Sequence, residues 1–338
     1  MMIRRIKKTA VILGLLLIII GSLLFMASIQ KTPSSFTYGV SFSKLHADEL
    51  SLDWKKVYLA ALNELGIKHL RLSAHWPNIE PKNGQFDFSA LDFQMNEARA
   101  HGADVILTVG RRLPGWPECH EPQWAYGFSK EEKQTELLAY VEAVVKRYKN
   151  YPNLLYWQVE NEAFLTFYAK HHCNDFFDAE FFDKEIQLVR AIDPDTPIFL
   201  TDSGELSLWY PAYKRADVFG TSIYLYVWNH TFGAIRYPII PAFFRIKHNV
   251  VELLTPQKPA IVSELSLEPW LLQPIAETPL DVQLGRMDIS KFNEIIEFAK
   301  KTDFDTHYLW GIEWWYYMKE KNHPEFWERA KEIYLESE

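Results

Sequence analysis

Two short apolar stretches of this 338-residue chain run into carboxylates. Leu154 to Phe164 reads LLYWQVENEAF and passes through Glu160, Asn161 and Glu162; Pro259 to Leu267 reads PAIVSELSL and carries Glu264. Apolar runs of this length read as strands buried on both faces. A carboxylate at the end of one must reach solvent or take part in chemistry, because burying it unpaired is prohibitive. A protonated carboxyl facing an ionised one can break an acetal: one protonates the leaving oxygen, the other meets an oxocarbenium-like centre with negative charge. Carboxyls about 5–5.5 Å apart allow a covalent intermediate and retention of configuration, whereas a wider gap admits water and gives inversion. Glu162 and Glu264 are the candidate pair for such chemistry. Strand alternation sends Glu160 to the same side as Glu162, so Glu160 stays open as the acid. Glu268, beside Pro269, competes with Glu264.

The elements that must bring these groups together alternate strand and helix to the end of the chain. The pattern predicts strands over 36–42, 67–72, 104–109, 154–159, 197–201, 218–224, 259–263 and 306–310. Helices are expected over 48–65, 89–101, 129–149, 176–192, near 206–216, and over 241–254, 289–301 and 324–336. Ser129 and Glu132 have capping-box spacing at the head of the third. Eight β-then-α units without an antiparallel hairpin signal point to a (β/α)8 TIM barrel, an α/β fold of about 250 residues. A doubly wound open sheet is the alternative, but no Gly-rich phosphate turn follows the first strand. In such a barrel, chemistry sits at the C-terminal ends of the strands. Those positions hold Arg71, His75, Trp76, Arg111, Trp116, His120, Glu160 to Glu162, Asp202, Glu205, Tyr224, Glu264, Trp310 and Glu313.

That set resembles the clan A glycoside hydrolases over the region from Phe36 to Glu338. The clan carries its acid/base Glu after an Asn at the end of strand four, matched by Asn161–Glu162 in WQVENE. Its nucleophile at the end of strand seven is matched by Glu264 in IVSEL. Arg71 fits the clan's strand-two Arg, Tyr224 its strand-six Tyr and Trp310 its strand-eight Trp. The run WPNIEPKNGQFDFSALD after strand two is similar to the corresponding loop in families 5, 39 and 42. The resemblance implies a retaining hydrolase of O-glycosidic, β-configured bonds, with an oligo- or polysaccharide substrate and no cofactor. It also implies Asn161 on the sugar 2-hydroxyl and Trp310 under the reacting sugar.

Charge reasoning gives the same roles. Arg71 and the Tyr224 hydroxyl would hold Glu264 ionised, and that charge would keep Glu162 protonated until Glu264 is esterified. Tyr226 stays open in place of Tyr224, and Arg71 as a structural ion-pair partner. His75, Trp76, Trp116 and Asp202 are candidate substrate contacts; Trp76, Trp116, Trp209 and Trp228 read either as sugar platforms or as loop packing. Arg111–Arg112 hints weakly at an acidic sugar. A transglycosylase with the same two carboxylates, or a barrel that binds glycans without cutting them, are the competing readings.

The net charge of −8 argues against a nucleic-acid partner, which needs a basic footprint. With 12 Trp, 17 Tyr and 22 Phe, aromatics suit sugar stacking, although most large aromatics are core. Arg4, Arg5, Lys7 and Lys8 precede an uncharged run over 9–30, long enough for a bilayer core of about 20 helical residues. The flanking charge places everything after Lys31 outside the cytoplasm. The expected organisation is a stub and transmembrane anchor over 1–31, a linker over 32–35 and the barrel over 36–338; a cleaved signal peptide and secretion is the alternative. Cys119 and Cys173, on loops after adjacent strands, read as a disulfide or as two free thiols. His171, His172, Cys173 and Asp175 lack zinc-site spacing, so no metal is assigned.

Overall fold

The computed structural model describes residues 2–27, 29, 33–115, 117–166, 173, 177–229, 231–271 and 273–336. Eight strands close a barrel: β1 (Thr37–Phe42), β2 (His69–Ser73), β3 (Asp104–Val109), β4 (Leu154–Val159), β5 (Ile198–Asp202), β6 (Val218–Ile223), β7 (Ala260–Ser266) and β8 (Thr306–Trp310). Every neighbouring pair is parallel, and β1 pairs with β8 to complete the ring. The sequence-predicted spans of β3, β4 and β8 coincide with those observed.

The barrel interior changes character along its axis. Its lower part is filled by Ile106, Phe199, Val218, Ile261 and Tyr308, with Tyr156 against them. Glycine makes room for the large rings: a Cβ on Gly39 would lie 2.6 Å from the Tyr308 ring, and one on Gly220 2.4 Å from the Phe199 ring. Two residues further along β3, β4 and β5 the inward side chains become polar, Thr108, Gln158 and Thr201, and Arg71 on β2 joins them, all buried. The period of two carries these strands from packing to chemistry. The larger apolar core lies outside, between the strands and the helices.

Four local differences from the expected elements have physical causes. The helix expected over 48–65 is two helices, Lys44–Glu49 and Trp54–Glu64, separated where Ser51 takes φ +58° and Asp53 caps the second. The helix near 206–216 shrinks to Tyr210–Tyr213 because Trp209 takes φ +65° and Pro211 follows. A hairpin, Tyr226–Asn229 with Gly233–Arg236, follows β6 and corrects the expectation that none exists. Its turn is shaped by the Asn229 side chain, which accepts from the Thr231 and Phe232 amides, and by Gly233 at φ +69°. A helix over Ile312–Glu320, nearly all buried, starts directly after β8. The capping box forms as expected: the Ser129 hydroxyl accepts from the Glu132 amide at 3.3 Å, and Glu132 from the Ser129 amide at 2.8 Å.

One helix, Met2–Ala27, precedes the barrel. Among the described residues it alone is long and apolar enough to cross a membrane, with mean hydropathy 2.4 over Lys8–Phe25.

Candidate active site

β7 brings Glu264 inward through a bulge. Between Val262 and Glu264 the register with β6 slips, and between Val262 and Leu265 the register with β8 slips. Glu264 is 5% exposed. Its Oε1 accepts from Arg71 Nη1 at 2.6 Å and its Oε2 from the Tyr224 hydroxyl at 2.8 Å. Arg71, buried on β2, donates from Nε to Gln158 Oε1 at 2.7 Å and from Nη2 to Asn161 Oδ1 at 2.8 Å. One guanidinium therefore ties β7 to β4 across the barrel, its fork shared between a charge and two amide oxygens.

Beyond Val159 the chain leaves strand geometry. Glu160 and Glu162 have φ +57° and +45°, a left-handed conformation uncommon outside glycine. The turn is held by its neighbours. The Glu162 amide donates to Thr201 Oγ1 at 3.0 Å, and Arg112 Nη1 donates to the Glu162 carbonyl at 2.9 Å. Asn161 Oδ1 accepts from Arg71, from Thr201 Oγ1 at 3.1 Å and from Gln158 Nε2 at 3.3 Å, so the Asn161 amide nitrogen is the group left to donate. The Glu162 carboxyl is buried beside Glu264 and within reach of the Ser222 hydroxyl. Burial first, then the charges of Glu264 and Glu118, raise its pKa well above the usual carboxylate range.

The left-handed turn also separates two residues that alternation placed together. Glu160 faces the helix layer, where its carboxylate accepts from the Arg111 amide at 2.8 Å and from the Arg112 amide. Gly110 leaves it room, since a Cβ there would lie 2.6 Å from its carboxyl. Glu185, from the helix Ala179–Ile192, hydrogen-bonds the Glu160 carboxylate, and burial followed by the Glu160 charge raises the Glu185 pKa well above normal. Glu160 is a partner of Glu185, not a second candidate acid. Glu268 is also occupied elsewhere, accepting from Trp310 Nε1 at 2.7 Å and meeting His46 Nε2 at 3.0 Å. Tyr226 bonds Glu294 from the hairpin, which leaves Tyr224 at the centre.

The remaining candidates divide. Trp310 lines the rim at 8% exposure. Trp76 does not: it is fully buried, donates to Glu80 at 2.8 Å and stacks on Tyr140, because the short helix it opens turns it into the helix layer. Trp209 is likewise core, and Trp228 lies half-buried in the hairpin. Asp202 is fully buried, its pKa raised to about 6 by desolvation, so it touches no open cleft. His75 is buried with its ring 4.6 Å from that of His120; desolvation holds both below the usual histidine range, His120 at about 4. Trp116, His171, His172 and Asp175 lie outside the described residues. Arg111 pairs with Glu121 and Arg112 with Glu118, so neither guanidinium is reserved for an acidic sugar. Cys119 and Cys173 form a disulfide with Cα atoms 5.4 Å apart, joining the loops after β3 and β4. Gln158 and Thr201 were missed by sequence reasoning, although a glutamine inside LLYWQV is a legible signal: a buried amide must be paired.

Residues 52–211, which include β2 to β5, match the sequence model of glycosyl hydrolase family 10. Those strands carry the Arg71–Gln158–Asn161–Thr201 network and Glu162. The fold is that of the clan A glycoside hydrolases. Its sequence is similar to β-galactosidase Bga of Halorubrum lacusprofundi, 26% identical over 147 residues that cover 38% of this chain and 21% of that protein. It is also similar to endo-1,4-beta-xylanase 1 of Humicola insolens, 27% identical over 133 residues covering 38% of this chain and 29% of the xylanase. The chain spans about a fifth of the length of the β-galactosidase it matches. Among solved structures, the barrel is similar to GH5_18 of Bifidobacterium longum subsp. longum, with TM-score 0.57, 13% identity and coverage of 82% of this chain and 70% of that one. Xylanase 10B of Thermotoga petrophila gives TM-score 0.53 and 16% identity, covering 82% of each chain.

Proposed function

We propose that this clan A barrel is a retaining β-glycosidase in which Glu264 is the nucleophile and Glu162 the acid/base. The observation that carries the reading is the asymmetry of the two carboxyls. Glu264 receives a guanidinium and a phenol hydroxyl, whereas Glu162 is buried without a cation of its own and keeps its proton. In the first step Glu264 bonds to the anomeric carbon as the glycosidic C–O bond breaks, and the Glu162 proton passes to the leaving oxygen. Esterification removes the charge that held Glu162 protonated. Glu162 then takes a proton from water as that water attacks the anomeric carbon and frees Glu264. The Asn161 amide nitrogen donates to the sugar 2-hydroxyl, and Trp310 underlies the reacting sugar. Glu264→Ala abolishes turnover, and Glu162→Ala abolishes it on glycosides whose leaving group must be protonated.

The test is to trap the protein with activated 2-fluoro glycosides and map the labelled peptide by mass spectrometry. Label on Glu264 supports the reading and names the sugar; label on another carboxylate, during normal turnover, ends it. Product analysis with competing sugar acceptors separates hydrolysis from transfer. A glycan binder would instead retain ligand in both alanine variants and show no turnover in the native protein.

The helix Met2–Ala27, with its basic residues at the N-terminal end and its apolar run after them, supports a barrel tethered to the outer face of the cytoplasmic membrane. Extraction with carbonate and the N-terminal mass of the mature protein distinguish an anchor from a cleaved signal.

A further inference from the structure

A third carboxylate stands beside the central pair. Glu118 lies at the end of a tight hairpin after β3, with φ +69°. The hairpin is closed by the Leu113 amide on the Glu118 carbonyl at 2.8 Å and the Glu118 amide on the Gly115 carbonyl at 2.7 Å. It crosses the mouth of the barrel: a Cβ on Gly115 would lie 3.5 Å from the Trp310 ring on β8. The Cys119–Cys173 bridge fixes its near end to the loop after β4. Arg112 Nε donates to Glu118 Oε2 at 2.7 Å, while its Nη1 holds the Glu162 carbonyl. Glu118 and the candidate acid thus share one buried guanidinium.

We propose that Glu118 sets the substrate class of the site, admitting neutral or amino-bearing glycosides and rejecting those whose leaving group carries a carboxylate. Arg112 is spent on Glu118 and on the Glu162 and Leu165 carbonyls, so it offers an incoming anion little. Glu118 Oε1 makes no bond among the described residues and is the acceptor open to a sugar hydroxyl or ammonium. The Glu118 charge is also among the causes that raise the Glu162 pKa, after burial and Glu264. An anionic leaving group would bring a negative charge beside the Glu118 carboxylate, at short range and away from bulk water.

The inference rests on the glycosidase reading, and the experiment separates the two. Full-length, oxidised protein is assayed on β-D-galactosides, glucosides, xylosides and mannosides of 3-hydroxybenzoate and of its methyl ester, and the Kd of each pair is read by calorimetry. The ester-to-carboxylate ratio of kcat/KM should be about tenfold greater in the wild type than in Glu118→Gln, which keeps the Arg112 hydrogen bond. Glu118→Asp should retain the wild-type ratio. An unchanged ratio with turnover intact overturns selection by Glu118 and leaves hydrolysis standing. Unequal Kd values without turnover of any glycoside would retain the selection and discard the hydrolase. If Glu118→Gln does not fold, equal wild-type Kd values for ester and carboxylate overturn the proposal directly, and binding of neither overturns both.

Discussion

Arg71 Nη1 stands 2.6 Å from Glu264 Oε1, and both side chains are almost wholly buried. Removing one member of such a pair leaves a buried charge uncompensated, at roughly 3–5 kcal/mol. Arg71→Ala should therefore lower both stability and activity. Arg71→Lys keeps the charge but not the fork that also reaches Gln158 and Asn161. We expect its Tm to fall less than that of Arg71→Ala, while kcat still drops about 10²-fold. Equal kcat in Arg71→Lys and wild type would remove Arg71 from the site.

Burial and the Glu264 charge favour the neutral form of Glu162, so its proton is kept into a higher pH range and released as pH rises. The alkaline limb of kcat/KM should belong to this group. Replacing Glu162 with Ala and assaying a dinitrophenyl glycoside, whose leaving group needs no proton, should erase that limb. Persistence of the limb in the variant would assign it elsewhere.

Glu185 has a folded-state pKa raised above its unfolded value, first by burial and then by Glu160. The folded state holds that proton more tightly than the unfolded state, so the associated stability is present at low pH and lost as pH climbs through the folded pKa. Glu185→Gln cannot ionise and can still donate to Glu160. Its Tm should match or trail wild type near pH 4.5 and overtake it as pH rises, each kcal/mol shifting Tm by about 2–4 °C. Parallel Tm curves across that range would show that the pair carries no such penalty.

The Cys119–Cys173 bridge closes a loop with 54 residues of separation. Chain-entropy reasoning gives an upper figure of about 4 kcal/mol for its contribution. Cys119→Ser with Cys173→Ser should reduce stability in denaturant melts and lower kcat/KM more than the alteration of a remote surface loop. Unaltered catalysis in the double variant would show that the hairpin holds its place without the bridge.

Gly110 combines φ +128° with a missing Cβ that would lie 2.6 Å from the Glu160 carboxyl. Glu160 is pinned by the Arg111 and Arg112 amides and cannot withdraw freely. Gly110→Ala should cost several kcal/mol and disturb the β4 turn, read as a joint loss of Tm and kcat.

The barrel was legible in the sequence because its strands are apolar runs separated by helical periodicity. β3, β4 and β8 needed no tertiary information for their limits. The helix over Ile312–Glu320 was hidden by its own burial: GIEWWYY is apolar nearly all round, so no amphipathic period marks it. The hairpin after β6 was hidden because its turn depends on the Asn229 side chain accepting two amides and on Gly233 at positive φ. At the site, Arg71, Tyr224 and Glu264 occupy the ends of strands two, six and seven, and the structure brings all three into contact. The separation of Glu160 from Glu162 was not readable, since alternation holds only within a strand and both residues lie past its end with positive φ. Trp76 was misjudged for a related reason: nearness to a strand end says nothing about which way a short helix turns its first residue.

Arg71, Glu162, Tyr224 and Glu264 come from four separate βα units, and the shorter way round the ring from the Glu264 strand to the Arg71 strand runs through β8 and β1. No fragment holding half of the strands contains a complete centre. Turnover is therefore a gauge of ring closure: in rising denaturant, catalysis should disappear together with the tryptophan signal of the core, with no partly assembled species able to react.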